Sequence, residues 1–91
     1  MGIAERLKWA RDATGLSQRD LAELAGNMSE GVIRHLEAGI TKTIEVPNAV
    51  KLCMALGCAM GWLLAGEGEA PDSDALKAIG AAAREAKGAA E

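Results

Sequence analysis

The sequence predicts an all-α fold, a compact body of five short helices followed by an Ala-rich tail or extra helix. Three observations predict it. Large apolar residues recur at three- and four-residue steps, the spacing of one helical face. Glycines stand at the ends of those runs, where a left-handed residue stops a helix at little steric cost. The alternation of apolar and polar residues that marks strands is missing.

The elements follow in order. Ile3, Leu7, Ala10 and Thr14 line one face of a first helix, and Gly15 is its expected terminator. Ser17 opens a second helix. Its hydroxyl can accept from the backbone N–H three residues on, and Asp20 stands where a capping box wants an acid. Leu21, Leu24 and Ala25 point inward there, and Gly26 closes the run. A third helix is expected from Ser29, its N-cap, to Ala38, with Ile33 and Leu36 inward and Gly39 at its end. Residues 40–46 form a polar, β-branched loop. Pro47, tolerated in a first helical turn, opens a fourth helix with Ala49, Leu52, Cys53 and Leu56 inside and Gly57 at its end. Residues 59–65 make a short fifth helix containing Trp62, Leu63 and Leu64, stopped by Gly66.

Beyond Gly66 the character changes. Residues 67–74 are acidic with Gly, Pro and Ser, the composition of a linker. Residues 74–87 are Ala-rich, and their large apolar residues are Leu76 and Ile79 alone. So little apolar surface does not hold an isolated helix. The segment is therefore frayed, or ordered by docking on the body or on a partner chain. The expected organisation is a body at 1–66 and a tail at 67–91.

Composition bounds the function. Ninety-one residues, 49% of them hydrophobic, make one domain with an aliphatic core, since Phe and Tyr are absent and Trp occurs twice. Cys53, Cys58 and the single histidine, His35, fall short of the roughly four ligands of a structural zinc site. The cysteines are expected to be reduced, and no metal or cofactor is expected. No apolar run approaches the ~20 residues of a membrane span. Residues 1–11 lack the hydrophobic stretch of a secretory signal, so a cytoplasmic location is expected. Residues 1–66 carry seven basic and seven acidic side chains, which leaves the whole net charge of −3 to the tail. A neutral body argues against a purely electrostatic hold on nucleic acid. No nucleophile–base pair, carboxylate dyad or phosphate-cradling glycine loop is visible, so no enzyme is expected.

The informative unit is helix two, the glycine turn and helix three. The stretch Leu16-Ser17-Gln18-Arg19-Asp20-Leu21-Ala22-Glu23, with Ile33-Arg34-His35-Leu36-Glu37-Ala38-Gly39, closely resembles the phage repressor and Cro-type helix-turn-helix family, the lambda repressor-like DNA-binding domains. Ala55-Leu56-Gly57 and Gly61-Trp62-Leu63-Leu64-Ala65-Gly66 extend the resemblance to the end of the fifth helix. Physical reasoning is compatible with it, because a major groove ~12 Å wide accepts one α-helix while the preceding helix crosses the backbone.

The resemblance implies a sequence-specific, double-stranded-DNA-binding transcription regulator, a repressor that occupies its operator as a homodimer. With 25 residues after Gly66, a minimal or Cro-like form is expected over a self-cleaving one. Counting back from Ile33, the exposed positions of helix three are Ser29, Glu30, Gly31, Val32, Arg34 and His35. Glu30 can accept from cytosine N4, Val32 can touch a thymine methyl, and Arg34 suits a phosphate or a guanine edge. His35 is expected on a groove or phosphate contact. By resemblance, Gln18 contacts phosphate, as do Thr41, Lys42 and Thr43, while Arg11 and Glu37 form an internal ion pair. One departure matters: the turn is one residue longer than in family members, Asn27 or Met28 being extra. At about 100° of rotation per residue, this leaves the register of helix three open.

Val50 and Met54 lie one turn apart, off the inner stripe of helix four. With Trp62 they are expected to form an exposed apolar patch for pairing with a second copy. Two other functions compete with the regulator. One is a protein-interaction module whose helix-turn-helix body has lost DNA affinity, as the neutral charge, Glu30 and the longer turn would favour. The other is an antitoxin whose acidic tail folds on a protein partner.

Overall fold

The computed structural model describes residues 2–89; Met1 and residues 90 and 91, the outer ends of the two expected segments, lie outside the described residues. The chain folds into α1 (Ile3–Thr14), α2 (Gln18–Leu24), α3 (Glu30–Glu37), α4 (Val46–Leu56), α5 (Met60–Ala65) and α6 (Ser73–Ala89). Among the described residues every regular element is a helix. No helix there is long and apolar enough to cross a membrane.

Helix ends follow the chemistry read from the sequence. Gly15, Gly57 and Gly66 are left-handed C-caps, with φ of 77°, 62° and 70°. Ser17 accepts from the Asp20 N–H at 3.0 Å and caps α2, while the Glu5 carboxylate accepts from the N–H of Gly2 ahead of α1. Pro47 sits in the first turn of α4, where its missing N–H costs no hydrogen bond.

The core is aliphatic and continuous. Leu7, Leu21, Ile33, Leu36, Leu52, Leu56, Leu63 and Leu76 are all essentially inaccessible, each stabilising the fold by roughly 1.5–3 kcal/mol. Ile3 is only half-buried and packs on the margin of this cluster. Leu24, expected inward, is exposed and flanks an outer groove.

Trp62 corrects an expectation. It does not share a surface with Val50 and Met54, because α5 lies against α1 and turns the indole into the core, 4% exposed. Trp9 meets it edge to face, with ring centroids 5.9 Å apart. Val50 and Met54 remain outside.

The Ala-rich segment is ordered by the body. The α1–α6 seam is the most extensive helix–helix contact in the molecule. Leu76 enters the core and Ile79 packs on its edge. Gly80 is the crossing point: a Cβ there would lie 1.8 Å from the Thr14 carbonyl oxygen, so only glycine lets the two backbones approach this closely. Arg84 donates to that same carbonyl at 3.3 Å, closing the end of α1. Lys87 bridges to Asp20 and Glu23 on α2 at 2.8 and 3.4 Å. The paired ammonium holds the Asp20 carboxyl below the usual carboxylate range. Arg6, buried on α1, donates from Nε to the Leu63 carbonyl at 2.9 Å, placing a cation against the end of α5.

Candidate nucleic-acid interface

The turn between α2 and α3 decides which side chains α3 presents. Ala25 caps α2, Gly26 takes φ of 79°, and Asn27 takes φ of 58°, a left-handed conformation that Asn tolerates better than most residues. Asn27 N–H donates to the Glu23 carbonyl and Met28 N–H to that of Ala22, satisfying the last carbonyls of α2. Met28 then turns inward at the margin of the core, 9% exposed. Asn27 and Met28 both lie in the turn, ahead of α3. Ile33 and Leu36 keep the inward positions, which fixes the register of α3.

The inner side of α3 is braced by a closed polar network. Arg11 makes a two-pronged pair with Glu37, Nε to Oε2 at 2.7 Å and Nη2 to Oε1 at 2.8 Å. Its third donor, Nη1, reaches the Leu16 carbonyl at 2.9 Å. Both side chains are mostly buried, 14% and 5% exposed, and the hydrogen bond to Glu37 raises the Arg11 pKa against the opposing effect of burial. Gln18 completes the set by donating from Nε2 to Glu37 Oε1 at 3.2 Å. The structure thus brings Gln18 onto the ion pair, locking the start of α2 to the end of α3. It contacts a carboxylate here, and its second amide hydrogen stays available.

The outer side is organised differently. Glu30 and Arg34 share one flank of α3 at i and i+4. Glu30 and Arg34 lie 3.7 Å apart there, both substantially exposed. Ser29, Val32 and His35 share the other flank, facing a groove of about 370 Å³. Gly31, Leu36, Thr41, Thr43, Ile44, Glu45 and Asn48 complete its lining. Ile40 and Thr41 N–H groups both donate to the His35 carbonyl, folding the loop back along α3, and Ile44 anchors it on the core. Lys42 lies outside this groove, beside the start of α1 with Thr41 and Gly39.

Of the expected contacts, Ser29, Arg34, His35, Thr41, Lys42 and Thr43 are exposed, while Gln18, Glu30, Gly31 and Val32 are half-buried. Val32 also packs against the core, so only part of its surface is available. Among the described residues, the side chains of Ser29, His35, Thr41, Lys42, Thr43 and Asn48 make no hydrogen bond or ion pair within the chain. Glu45 and Asn48 are additions to the expected set. Pro47 places Asn48 in a first helical turn, but nothing in the local pattern shows that this turn flanks α3. Cys53 and Cys58 stand apart from the interface; burial raises both thiols, Cys58 to about 12.

Comparison with known proteins agrees with this arrangement. A family model described as helix-turn-helix matches residues 7–63, spanning α1 to α5 up to Leu63. No solved structure matches the chain at a significant level.

Proposed function

The chain belongs to the Cro- and CI-type helix-turn-helix family, a family of DNA-binding regulators, and on that footing we propose that it is a repressor that occupies a specific operator as a homodimer. The observation that carries the proposal is the outward side of α3. It holds exposed Arg34 and His35 and half-exposed Glu30, Gly31 and Val32, on a helix whose inner side is fixed by Ile33, Leu36 and the Arg11–Glu37 pair. In this reading α3 lies in the major groove. Arg34 takes a guanine edge or phosphate and Glu30 accepts from cytosine N4. Gln18 reaches phosphate on one side of the groove, with Thr41, Lys42 and Thr43 on the other.

Glu30 tunes specificity. Away from cytosine it meets phosphate or base acceptors unfavourably, and in the free protein it partly neutralises Arg34 at 3.7 Å. Arg34 and Lys42 on each of two subunits give an expected salt slope near −0.9 × 4. Affinity then falls on the order of a hundredfold from about 50 to about 200 mM salt.

For the second copy, Val50 and Met54 offer exposed apolar surface, 37% and 78% accessible, beside exposed Leu24. Met54→Asp is expected to leave the fold intact and convert the sedimenting species from dimer to monomer. The proposal places the protein in the cytoplasm with its operator. The antitoxin reading gains no support from α6, whose Leu76 and Ile79 are already used on the body.

The test is selection of bound sites from random duplexes. A palindromic consensus supports operator binding by a dimer. Failure to retard any duplex at low salt would eliminate DNA binding and leave the protein-interaction alternative.

A further inference from the structure

The two cysteines meet across the end of α4. We infer that Cys53 and Cys58 form a reversible intrachain disulfide, a redox-operated staple on the turn between α4 and α5, with a low-molecular-weight disulfide such as oxidised glutathione as the exchange partner. The pair lies outside the groove beside α3, and the inference stands independently of the DNA-binding reading.

Three observations carry it. The Cys58 N–H donates to the Cys53 carbonyl at 3.1 Å, across Gly57, whose φ of 62° turns the chain back over the last turn of α4. That closure sets the two side chains next to each other, where helix ends of this kind frequently place an apolar contact. A hydrogen bond between the two backbones also keeps the α-carbons within the ~7 Å that a disulfide can span. Secondly, the thiols sense each other. Burial is the main cause of the raised values of both, and each is shifted further by its neighbour. Thirdly, access is graded. Both thiols are free, Cys58 half-buried and Cys53 buried, so a reagent meets Cys58 first and Cys53 is held ready to resolve the adduct. The chain has no third cysteine to compete.

The exchange balances in two steps. The Cys58 thiolate, its proton given to water, attacks one sulfur of oxidised glutathione, forming a mixed disulfide and releasing one glutathione thiolate. The Cys53 thiolate then attacks the Cys58 sulfur and expels the second. The two cysteines lose two protons and two electrons, and one glutathione disulfide becomes two glutathione thiols. Burial, which lifts the Cys58 thiol to about 12, leaves few thiolates near neutrality. The bond therefore forms slowly there, and faster as pH rises. Once formed, it closes a short loop around left-handed Gly57. The same turn seats α6, since a Cβ on Gly57 would lie 3.7 Å from Ile79 Cδ1. The staple thus firms the seat of α6 as well as the end of α4.

The experiment equilibrates the full chain in glutathione buffers from fully reducing to fully oxidising. Remaining thiols are trapped by alkylation after denaturation, and mass and thermal midpoint are measured. The expected product is a chain two hydrogens lighter, unlinked to a second chain, with both cysteines closed to alkylation. It melts roughly 5 °C above the reduced chain, the scale for closing a short loop in a domain of this size. Dithiothreitol restores the reduced midpoint. Cys53→Ser is expected to stop at the mixed disulfide, one glutathione heavier, without the rise, whereas Cys58→Ser keeps its buried Cys53 reduced. The wild-type comparison of oxidised with reduced chain needs neither variant to fold. Two alkylatable thiols at the oxidising end, after prolonged incubation at alkaline pH, overturn the inference and leave the pair as an apolar contact of the turn. So does a cross-link found only between chains, or a midpoint lowered by oxidation, which would mean that the turn must distort to admit the bond. Operator affinity enters none of these outcomes, so their failure is distinct from failure of the DNA-binding reading.

Discussion

The two sides of α3 are built on opposite rules. On the inner side the charged groups are answered within the chain: Arg11 by Glu37 and the Leu16 carbonyl, and Glu37 again by Gln18. On the outer side Ser29, His35, Thr41, Thr43 and Asn48 have no intramolecular partner among the described residues. Removing a partner from the first set leaves a charge or carbonyl uncompensated, so the loss appears in stability. Removing a side chain from the second set leaves nothing behind, so the loss appears in binding. The difference teaches which substitutions report on folding and which on function.

The seam between α1 and α6 should show the largest effect. Gly80→Ala drives a methyl into the Thr14 carbonyl, 1.8 Å from the ideal Cβ position, and α6 must lift. A loss of about 3 kcal/mol in urea unfolding, the upper end of the usual cost of overpacking, is expected. A loss near zero would mean that α6 is not part of the cooperative fold. Next comes Arg11→Ala, which strands the Glu37 carboxylate, itself 5% exposed, with Gln18 alone. About 3 kcal/mol of stability should be lost, with DNA affinity following only through the unfolded fraction.

Across the comparison, Arg34→Ala should cost about 1.5 kcal/mol of specific binding, roughly tenfold. Its thermal midpoint should stay within a degree or two, because its partner Glu30 is itself exposed. A lowered midpoint with retained affinity would reverse the assignment of the two sides. The smallest effect belongs to the exposed Lys87–Asp20 bridge. Its ammonium lowers the Asp20 pKa, and the same contact raises that of Lys87. The contribution to stability is therefore complete between the two titrations. It is lost as pH falls through the depressed Asp20 value, and again as pH rises through the elevated Lys87 value. Lys87→Ala should match wild type at both extremes and in high salt, and differ from it slightly near neutrality. A difference that persists at low pH would remove the bridge as its cause.

Local chemistry made much of the body legible. Gly15, Gly57 and Gly66 marked helix ends because a left-handed residue is required there, and Ser17 declared its cap. The inward residues Leu7, Leu21, Ile33, Leu36, Leu52 and Leu56 followed from spacing. What escaped depends on contacts distant in sequence. Gly80 looks like a weak point in an Ala-rich helix until Thr14 is placed beneath it. Arg6 lies buried against the end of α5, a contact 57 residues away in sequence that its local pattern does not show. Trp62 looked available for pairing because the packing of α5 on α1 is not encoded in six residues. At the interface, the exposed positions of α3 were counted from Ile33 directly, but the conformation of the turn ahead of them, with Gly26 and Asn27 both left-handed, was not legible. Asn48 belongs to the groove through the path of the loop, which composition does not describe.

The central claim is that the outer side of α3, with the loop beside it, meets the duplex. Backbone amide shifts followed while the selected duplex is titrated into the labelled protein test it most directly. The account predicts the largest changes at residues 29–35 and 41–48, with the exposed face of α6 unmoved. Changes concentrated on α6 or around Met54, with α3 silent, would contradict it.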